Sequence, residues 1–181
     1  IQWAQRLLLA TGEPRYADAV ERMLYNAFLA GVSLTGTEYF YVNPLQLRTD
    51  AEADEGRSPA NGRRGWFECA CCPPNIMRTF ASIAACAVTE SDTGLQIQQY
   101  MSGDFGNNRA AIHVEAGLPF NGSARIEILR SSGTWTLGLR IPGWSDATVV
   151  TVNGEAVHLE RDADHLDIAR DFTAADIIEI V

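Results

Sequence analysis

The stretch PPNIMRTFASIAACAVTESDTGLQIQQY, residues 73–100, contains the change of pattern on which the fold turns. In its first half, Ile76, Phe80, Ile83, Ala84 and Ala87 recur at helical spacing behind Pro73 and Pro74, and proline is tolerated in a first helical turn. Glu90 to Gly94 is polar and turn-forming, and from Leu95 to Tyr100 apolar and polar residues alternate as in a half-buried strand. The pattern predicts a helical part over residues 1–92 and a β part over residues 93–181.

Beyond the boundary the alternation repeats in Ala111–Val114, Arg125–Ile128, Thr134–Leu139 and Thr148–Val152, with Asn121-Gly122 and Asn153-Gly154 as hairpin turns. Short strands separated by such turns predict an antiparallel β-sandwich, with no place for a parallel doubly wound sheet. Upstream, Ala4, Leu7 and Leu8 continue a helical pattern that Thr11-Gly12 can stop, and Pro14 can open a second helix. Its stripe of Tyr16, Val20, Met23, Leu24, Ala27 and Phe28 is a packing face. Glu38–Val42 reads as a strand or extended segment ending at Asn43-Pro44. Thr49 to Arg64 is polar, with Asp54-Glu55-Gly56 and Asn61-Gly62 as turn signals, and reads as a surface loop with solvated acids. The fold class is α+β.

Composition narrows the function. A chain of 181 residues with 46% hydrophobic and 20% charged residues is ordinary for a globular protein. The net charge of −9 argues against a nucleic-acid partner, which calls for a basic face toward phosphates. No run approaches the roughly 18 to 20 apolar residues of a membrane span. The N-terminus lacks a secretory signal pattern, which favours a cytoplasmic location, although a segment upstream of Ile1 would be free to carry one. All 14 basic residues are arginines, so lysine-based covalent chemistry is excluded. The chain starts without methionine and stops inside the strand-like Asp176–Val181, so it reads as a fragment of a larger protein.

The chemistry concentrates just before the residue 73 helix, in Trp66-Phe67-Glu68-Cys69-Ala70-Cys71-Cys72-Pro73-Pro74-Asn75. Adjacent Cys71 and Cys72 are poorly placed for a disulfide with each other, which leaves metal ligation or free thiols. Immediately before a helix, unpaired amides and the positive end of the dipole favour an anion and lower a thiol pKa. Three small packed residues would show the same spacing, so spacing alone does not choose. His113, His158 and His165 lie in the β part with no matching ligand spacing and are left out of the site.

Cys71-Cys72-Pro73-Pro74-Asn75, together with Trp66, Phe40-Tyr41-Val42-Asn43-Pro44-Leu45, Leu139-Arg140-Ile141-Pro142-Gly143-Trp144 and Val152-Asn153-Gly154-Glu155, resembles glycoside hydrolase family 127, the β-L-arabinofuranosidases. The matches keep their order over most of the chain. The resemblance implies that residues 1–92 are the last helices of an (α/α)6 barrel, followed by the sandwich. It implies a retaining glycosidase acting on terminal β-L-arabinofuranosides, in which three cysteines and one glutamate hold Zn²⁺ and one cysteine attacks the sugar. Carried over by position, Cys71 is the nucleophile and a zinc ligand, Cys72 is a second ligand, and Tyr41 lines the sugar pocket. The other two ligands and the acid/base glutamate would lie upstream of Ile1, which disfavours Glu68 as a ligand. The oligomeric state is open.

Two other readings compete. A two-carboxylate glycosidase is compatible with 23 acidic residues, although no pair stands out. A closed structural zinc site or a carbohydrate-binding module would make the chain non-catalytic, but structural zinc sites usually join two separated cysteine pairs. Here one compact group stands apart from Cys86.

Overall fold

The computed structural model describes residues 1–43, 46, 48–54, 56–69, 71–160 and 163–181, so Pro44 and Leu45 of the aromatic motif, Glu55 of the turn signal and Ala70 lie outside the described residues. Helix α1 (Gln2–Thr11) ends at Gly12, whose φ of 71° and N–H to Leu8 carbonyl bond make a left-handed cap. Helix α2 (Pro14–Arg22) starts with proline in its first turn and loosens into a π-helical segment, Met23–Phe28, and a short 3₁₀ turn, Leu29–Gly31. Helix α3 (Pro73–Ser82) continues as a 3₁₀ turn, Ile83–Cys86. The expected stripe of α2 is only partly buried: Val20 and Leu24 are covered, whereas Ala27 is exposed. On α3 Thr79 is buried, while Phe80 is 48% exposed and stacks edge-on against Phe28 at 4.9 Å.

Ten strands follow among the described residues: β1 (Val88–Glu90), β2 (Gly94–Ile97), β3 (Gly103–Gly106), β4 (Ala111–Ala116), β5 (Ala124–Arg130), β6 (Thr134–Arg140), β7 (Val150–Val152), β8 (Glu155–Val157), β9 (His165–Asp171) and β10 (Ile177–Ile180). They form two sheets, in the orders β1-β2-β6-β9 and β3-β4-β5-β10-β7-β8. Leu95, Ile97, Trp135, Leu137 and Leu139 from the first sheet share one core with Ile112, Val114, Ile126, Ile128, Val150 and Ile178 from the second. Each buried aliphatic side chain there contributes roughly 1.5–3 kcal/mol of transfer free energy.

Two expectations need correction and a third is narrowed. The pairing is antiparallel except that β2 lies parallel to β6, from Gly94 beside Thr136 to Ile97 beside Leu139. A parallel pair needs a long crossover, and β3, β4 and β5 supply it by passing through the other sheet. Gly94 is required at this join, because a Cβ there would come within 2.0 Å of the Thr136 carbonyl oxygen. Asn121-Gly122 makes no two-residue hairpin: it belongs to a longer connection closed by the Gly117 N–H to Ser123 carbonyl bond of 2.9 Å. Asn153-Gly154 does form a tight turn between β7 and β8, with φ of 52° and 82°, the left-handed pair a type I′ hairpin needs. Finally, of the two forms expected for Glu38–Val42, strand or extended segment, the structure has no regular strand: Tyr39 alone bridges, to Val32 on one side and Arg64 on the other.

The helical part is fastened to the first sheet by the Arg140 motif. Arg140 is 0% exposed: its Nε donates to the Gln98 carbonyl at 2.6 Å, Nη1 to Asp18 Oδ1 at 2.5 Å, and Nη2 to the Glu21 carboxylate. Glu21 also accepts from Trp144 Nε1 at 2.6 Å, and Gln99 Nε2 donates to the Ala17 carbonyl at 2.8 Å. A planar guanidinium suits this buried junction because its fixed fork can serve two carboxylates and a carbonyl at once.

Candidate active site

The site forms where the aromatic segment meets the start of α3. Tyr39 is pinned through its backbone, donating to the Arg64 carbonyl at 3.1 Å and accepting from Arg64 N–H at 3.0 Å. With Tyr39 fixed, Tyr41 follows two residues on, and both rings pack on buried Phe67, with centroid distances of 5.6 Å and 5.3 Å. Phe67 thus sets the height of Tyr41 above the cysteine segment. Sequence reading placed Phe67 in the cluster but gave it no role.

Cys72 occupies the N-cap of α3, its carbonyl accepting from Asn75 N–H at 3.0 Å and Ile76 N–H at 3.3 Å. Asn75 Nδ2 donates to the Cys71 carbonyl at 3.0 Å, and Arg78 Nη1 donates to Asn75 Oδ1 at 2.7 Å. These bonds tie the adjacent cysteines to the first turn, where unpaired amides and the dipole favour negative charge. The motif residues after the prolines therefore serve to hold Cys71 and Cys72 in position.

All three site residues expected from sequence are brought together. Tyr41 Oη lies 2.6 Å from Cys71 Sγ, and Cys71 Sγ lies 3.6 Å from Cys72 Sγ. The Tyr41 hydroxyl bond, helped by Cys72, holds the Cys71 thiol below its ordinary range. Desolvation, with negative charge at Cys71 as a further cause, pushes the Cys72 thiol up. The Tyr41 phenol is raised by Cys69 first and then Cys71, so it stays protonated and donates. The first proton therefore leaves Cys71, the more exposed sulfur of the pair. Cys69 is exposed near this group, whereas Cys86 is buried with Ala4 and Val20 and takes no part.

Two thiolates at this separation suit one tetrahedral metal: with Zn–S bonds of about 2.3 Å, the ligand–ligand edge is roughly 3.8 Å. Cys71 and Cys72 fit two corners. Among the described residues no group of three or more His, Cys, Asp or Glu side chains is arranged to hold a metal. Glu68 is exposed, and His113 and His165 pair instead with Asp104 at 2.5 Å and Asp167 at 2.7 Å on the β part.

Sequence reading missed Arg57, whose Nη1 donates to Tyr41 Oη at 3.4 Å and whose guanidinium lies 5.3 Å from the Tyr41 ring centroid. Asp54 is exposed, as expected of a solvated acid, but it is also bonded within its turn. Asp54 Oδ1 accepts from Gly56 N–H and Ser58 N–H, each at 3.0 Å, and from Asn61 Nδ2 at 2.9 Å. The Ser58 amide is the leading cause holding its carboxyl below the usual range. The turn signals at Asp54 and Asn61 were visible in sequence, but nothing marked them as two ends of one hydrogen-bonded loop.

Comparison with known proteins gives the same family from several directions. The family model described as "Beta-L-arabinofuranosidase, GH127 catalytic domain" matches residues 1–85, and "Beta-L-arabinofuranosidase, GH127 middle domain" matches residues 94–181. A non-reducing end β-L-arabinofuranosidase of Bifidobacterium longum subsp. longum is 36% identical over 165 residues, covering 84% of this chain. A solved structure described as a glycoside hydrolase superposes over 98% of the chain with a TM-score of 0.88 at 33% identity. A GH127 β-L-arabinofuranosidase from Geobacillus stearothermophilus T6 superposes over the same share with a TM-score of 0.82 at 32% identity. The chain spans 25% of the curated relative and about 30% of these structures, 30% and 29%. With an adjacent cysteine pair capping α3, a two-sheet β part and both family models matched in order, the chain belongs to glycoside hydrolase family 127.

Proposed function

We propose that this chain supplies the thiolate half of the active site of a retaining glycosidase that releases L-arabinose from terminal β-L-arabinofuranosides. On this reading residues 1–92 are the closing helices of an (α/α)6 barrel and residues 93–181 its β-sandwich companion. The observation that carries the proposal is the Tyr41 hydroxyl 2.6 Å from Cys71, with Cys72 beside it at the start of α3.

Cys71 attacks the anomeric carbon as a thiolate. A carbon–sulfur bond forms as the glycosidic carbon–oxygen bond breaks, and the departing oxygen takes its proton from a general acid, which the family resemblance puts before Ile1. Water then attacks the same carbon, its proton passes to that residue acting as base, and the thiolate leaves. Two displacements give net retention. The Tyr41 hydroxyl donates to Cys71 before attack and after release, when sulfur carries most charge. The positive end of α3 favours the same charged states.

Cys71 and Cys72 would hold Zn²⁺ together with ligands from elsewhere in the protein. When bound, the ion would keep sulfur deprotonated at neutral pH and make it a better leaving group.

The test is the mass of the intact gene product trapped with a slow arabinofuranosyl substrate, followed by peptide mapping. The expected adduct is one arabinosyl group on the peptide containing Cys71. An adduct on a glutamate would overturn the cysteine mechanism in favour of paired carboxylates.

A further inference from the structure

Tyr41 has a second partner on a loop that contributes no sulfur and no metal ligand to the proposed mechanism. Asp54 and Asn61 bind one another and the residues between them that the structure describes: Asp54 Oδ1 receives the three bonds described above, Asn61 Oδ1 accepts from Asp54 N–H at 2.8 Å, and Asn61 Nδ2 also donates to the Gly56 carbonyl at 3.0 Å. Ser58 Oγ donates to the Glu52 carbonyl at 2.5 Å, and Arg64 Nη2 donates to the Asp54 carbonyl at 3.0 Å. The Arg64 contact matters because the Arg64 backbone is the strand-like partner of Tyr39, two residues before Tyr41. The loop and the aromatic segment are thus one hydrogen-bonded unit.

Arg57 sits between the two amides, of Gly56 and Ser58, that Asp54 holds. With both neighbours bonded to Asp54, reaching Tyr41 costs mainly side-chain rotamer freedom. The guanidinium lies over the Tyr41 ring and reaches its hydroxyl, the same hydroxyl that contacts Cys71. Phe67 also packs against the ring. A phenol ring is free to turn about its side-chain bonds, and Phe67 contact alone does not choose where the hydroxyl points.

We infer that Arg57, presented by the loop that Asp54 closes, is a positioning residue that keeps the Tyr41 hydroxyl on Cys71. This rests on the reading of Cys71 as the nucleophile. Arg57 acts through Tyr41 and needs no contact with the sugar. A misplacement of about 1 Å at a reacting group can cost on the order of a hundredfold in rate, so a held hydroxyl is a sizeable lever.

The test uses the intact gene product with an arabinofuranoside carrying a chromogenic leaving group. Arg57→Met should lower kcat about tenfold with little change in KM, and Arg57→Lys should recover much of the loss, since an ammonium can still donate to the hydroxyl. In a Tyr41→Phe background Arg57→Met should add less than about twofold, because the group it acts on is gone. Asp54→Ala should follow Arg57→Met in direction, while Asp54→Asn, which keeps the acceptor oxygen, should stay near wild type. An unchanged kcat in Arg57→Met, a loss confined to KM, or full multiplication of the two losses in the double variant would overturn the inference. Crystal structures give a readout independent of turnover: Tyr41 Oη should leave Cys71 in Arg57→Met and stay in Arg57→Lys. If the wild-type protein does not cleave arabinofuranosides, the functional reading fails, while a Tyr41 that stays put in Arg57→Met sinks the positioning role alone.

Discussion

The two ends of this chain bury their apolar residues to very different degrees. The β part packs eighteen buried residues into one cluster, whereas the helical part gathers three, Ala4, Val20 and Cys86, among the described residues. On the helices Trp3 is 71% and Met77 is 60% exposed, and Phe80 and Leu9 also face outward. Yet the cysteine pair, Tyr41 and the Asp54 turn all lie in the part with the smaller buried cluster. The larger buried apolar cluster lies in the sandwich, and the proposed site is mounted beside it on elements held by hydrogen bonds, caps and one arginine junction. Active-site elements drawn from the less cohesive portion of a fold are free to carry exposed polar groups that a closed core would reject.

The largest effect should come from the sulfur itself. Cys71→Ser in the intact gene product should lose turnover on the order of a thousandfold or more, because an alcohol is far less acidic than a thiol, while its melting temperature moves little. Comparable loss of fold in that variant would break the separation of chemistry from stability.

Core truncation probes the other end of the comparison. Ile126→Ala, at a site 0% exposed between the sheets, should lower unfolding free energy by about 3–4 kcal/mol in denaturant titration. Phe80→Ser on α3 should change it by less than about 0.5–1 kcal/mol in the chain of residues 1–181. Equal costs at the two sites would show that the helices are as cohesive as the sandwich.

The junction between the regions should give an intermediate value. Arg140→Met leaves Glu21 half-buried without its guanidinium partner, and should cost about 2–3 kcal/mol. Limited proteolysis should then cut around α2 sooner than within the β strands. Wild-type protection of α2 in the variant would mean that the Ala17 and Gln99 bond suffices.

The smallest effect is on a titration. Cys71 has its pKa lowered by the Tyr41 bond, so in metal-free protein its thiolate persists to lower pH than an ordinary cysteine and its reactivity falls as pH drops through that lowered value. Alkylation by iodoacetamide, followed by peptide mass, should label Cys71 ahead of Cys72, and Tyr41→Phe should move the midpoint for Cys71 upward. Faster labelling of Cys72, or a midpoint indifferent to Tyr41, would contradict the lowering of the Cys71 thiol by the Tyr41 bond.

How far sequence reaches differs in the same way. Periodicity was enough for α1, α2 and α3, for most of β2 and β4 to β7, and for Gly12 and Asn153-Gly154, because caps, tight turns and half-buried strands are decided by residues close together in the chain. Short strands such as β1, β3 and β8 carry too few residues to show a period, and the parallel join of β2 and β6 depends on a path through the opposite sheet. At the site, the cysteine pair and the prolines marked a helix start by their types alone.

By itself, then, the sequence determined where the helices begin, where helical period gives way to alternation, and which sulfurs stand at the first turn of α3. Tertiary structure alone decided that Tyr41, thirty positions before Cys71, places its hydroxyl against that sulfur. It decided too that Arg57 reaches the same hydroxyl, and that Arg140 joins the sheet to Asp18 and Glu21 of α2, 122 and 119 positions earlier in the chain. Local pattern records the energetics of neighbours in sequence, whereas these contacts exist only after the core has formed and brought distant segments within hydrogen-bond reach.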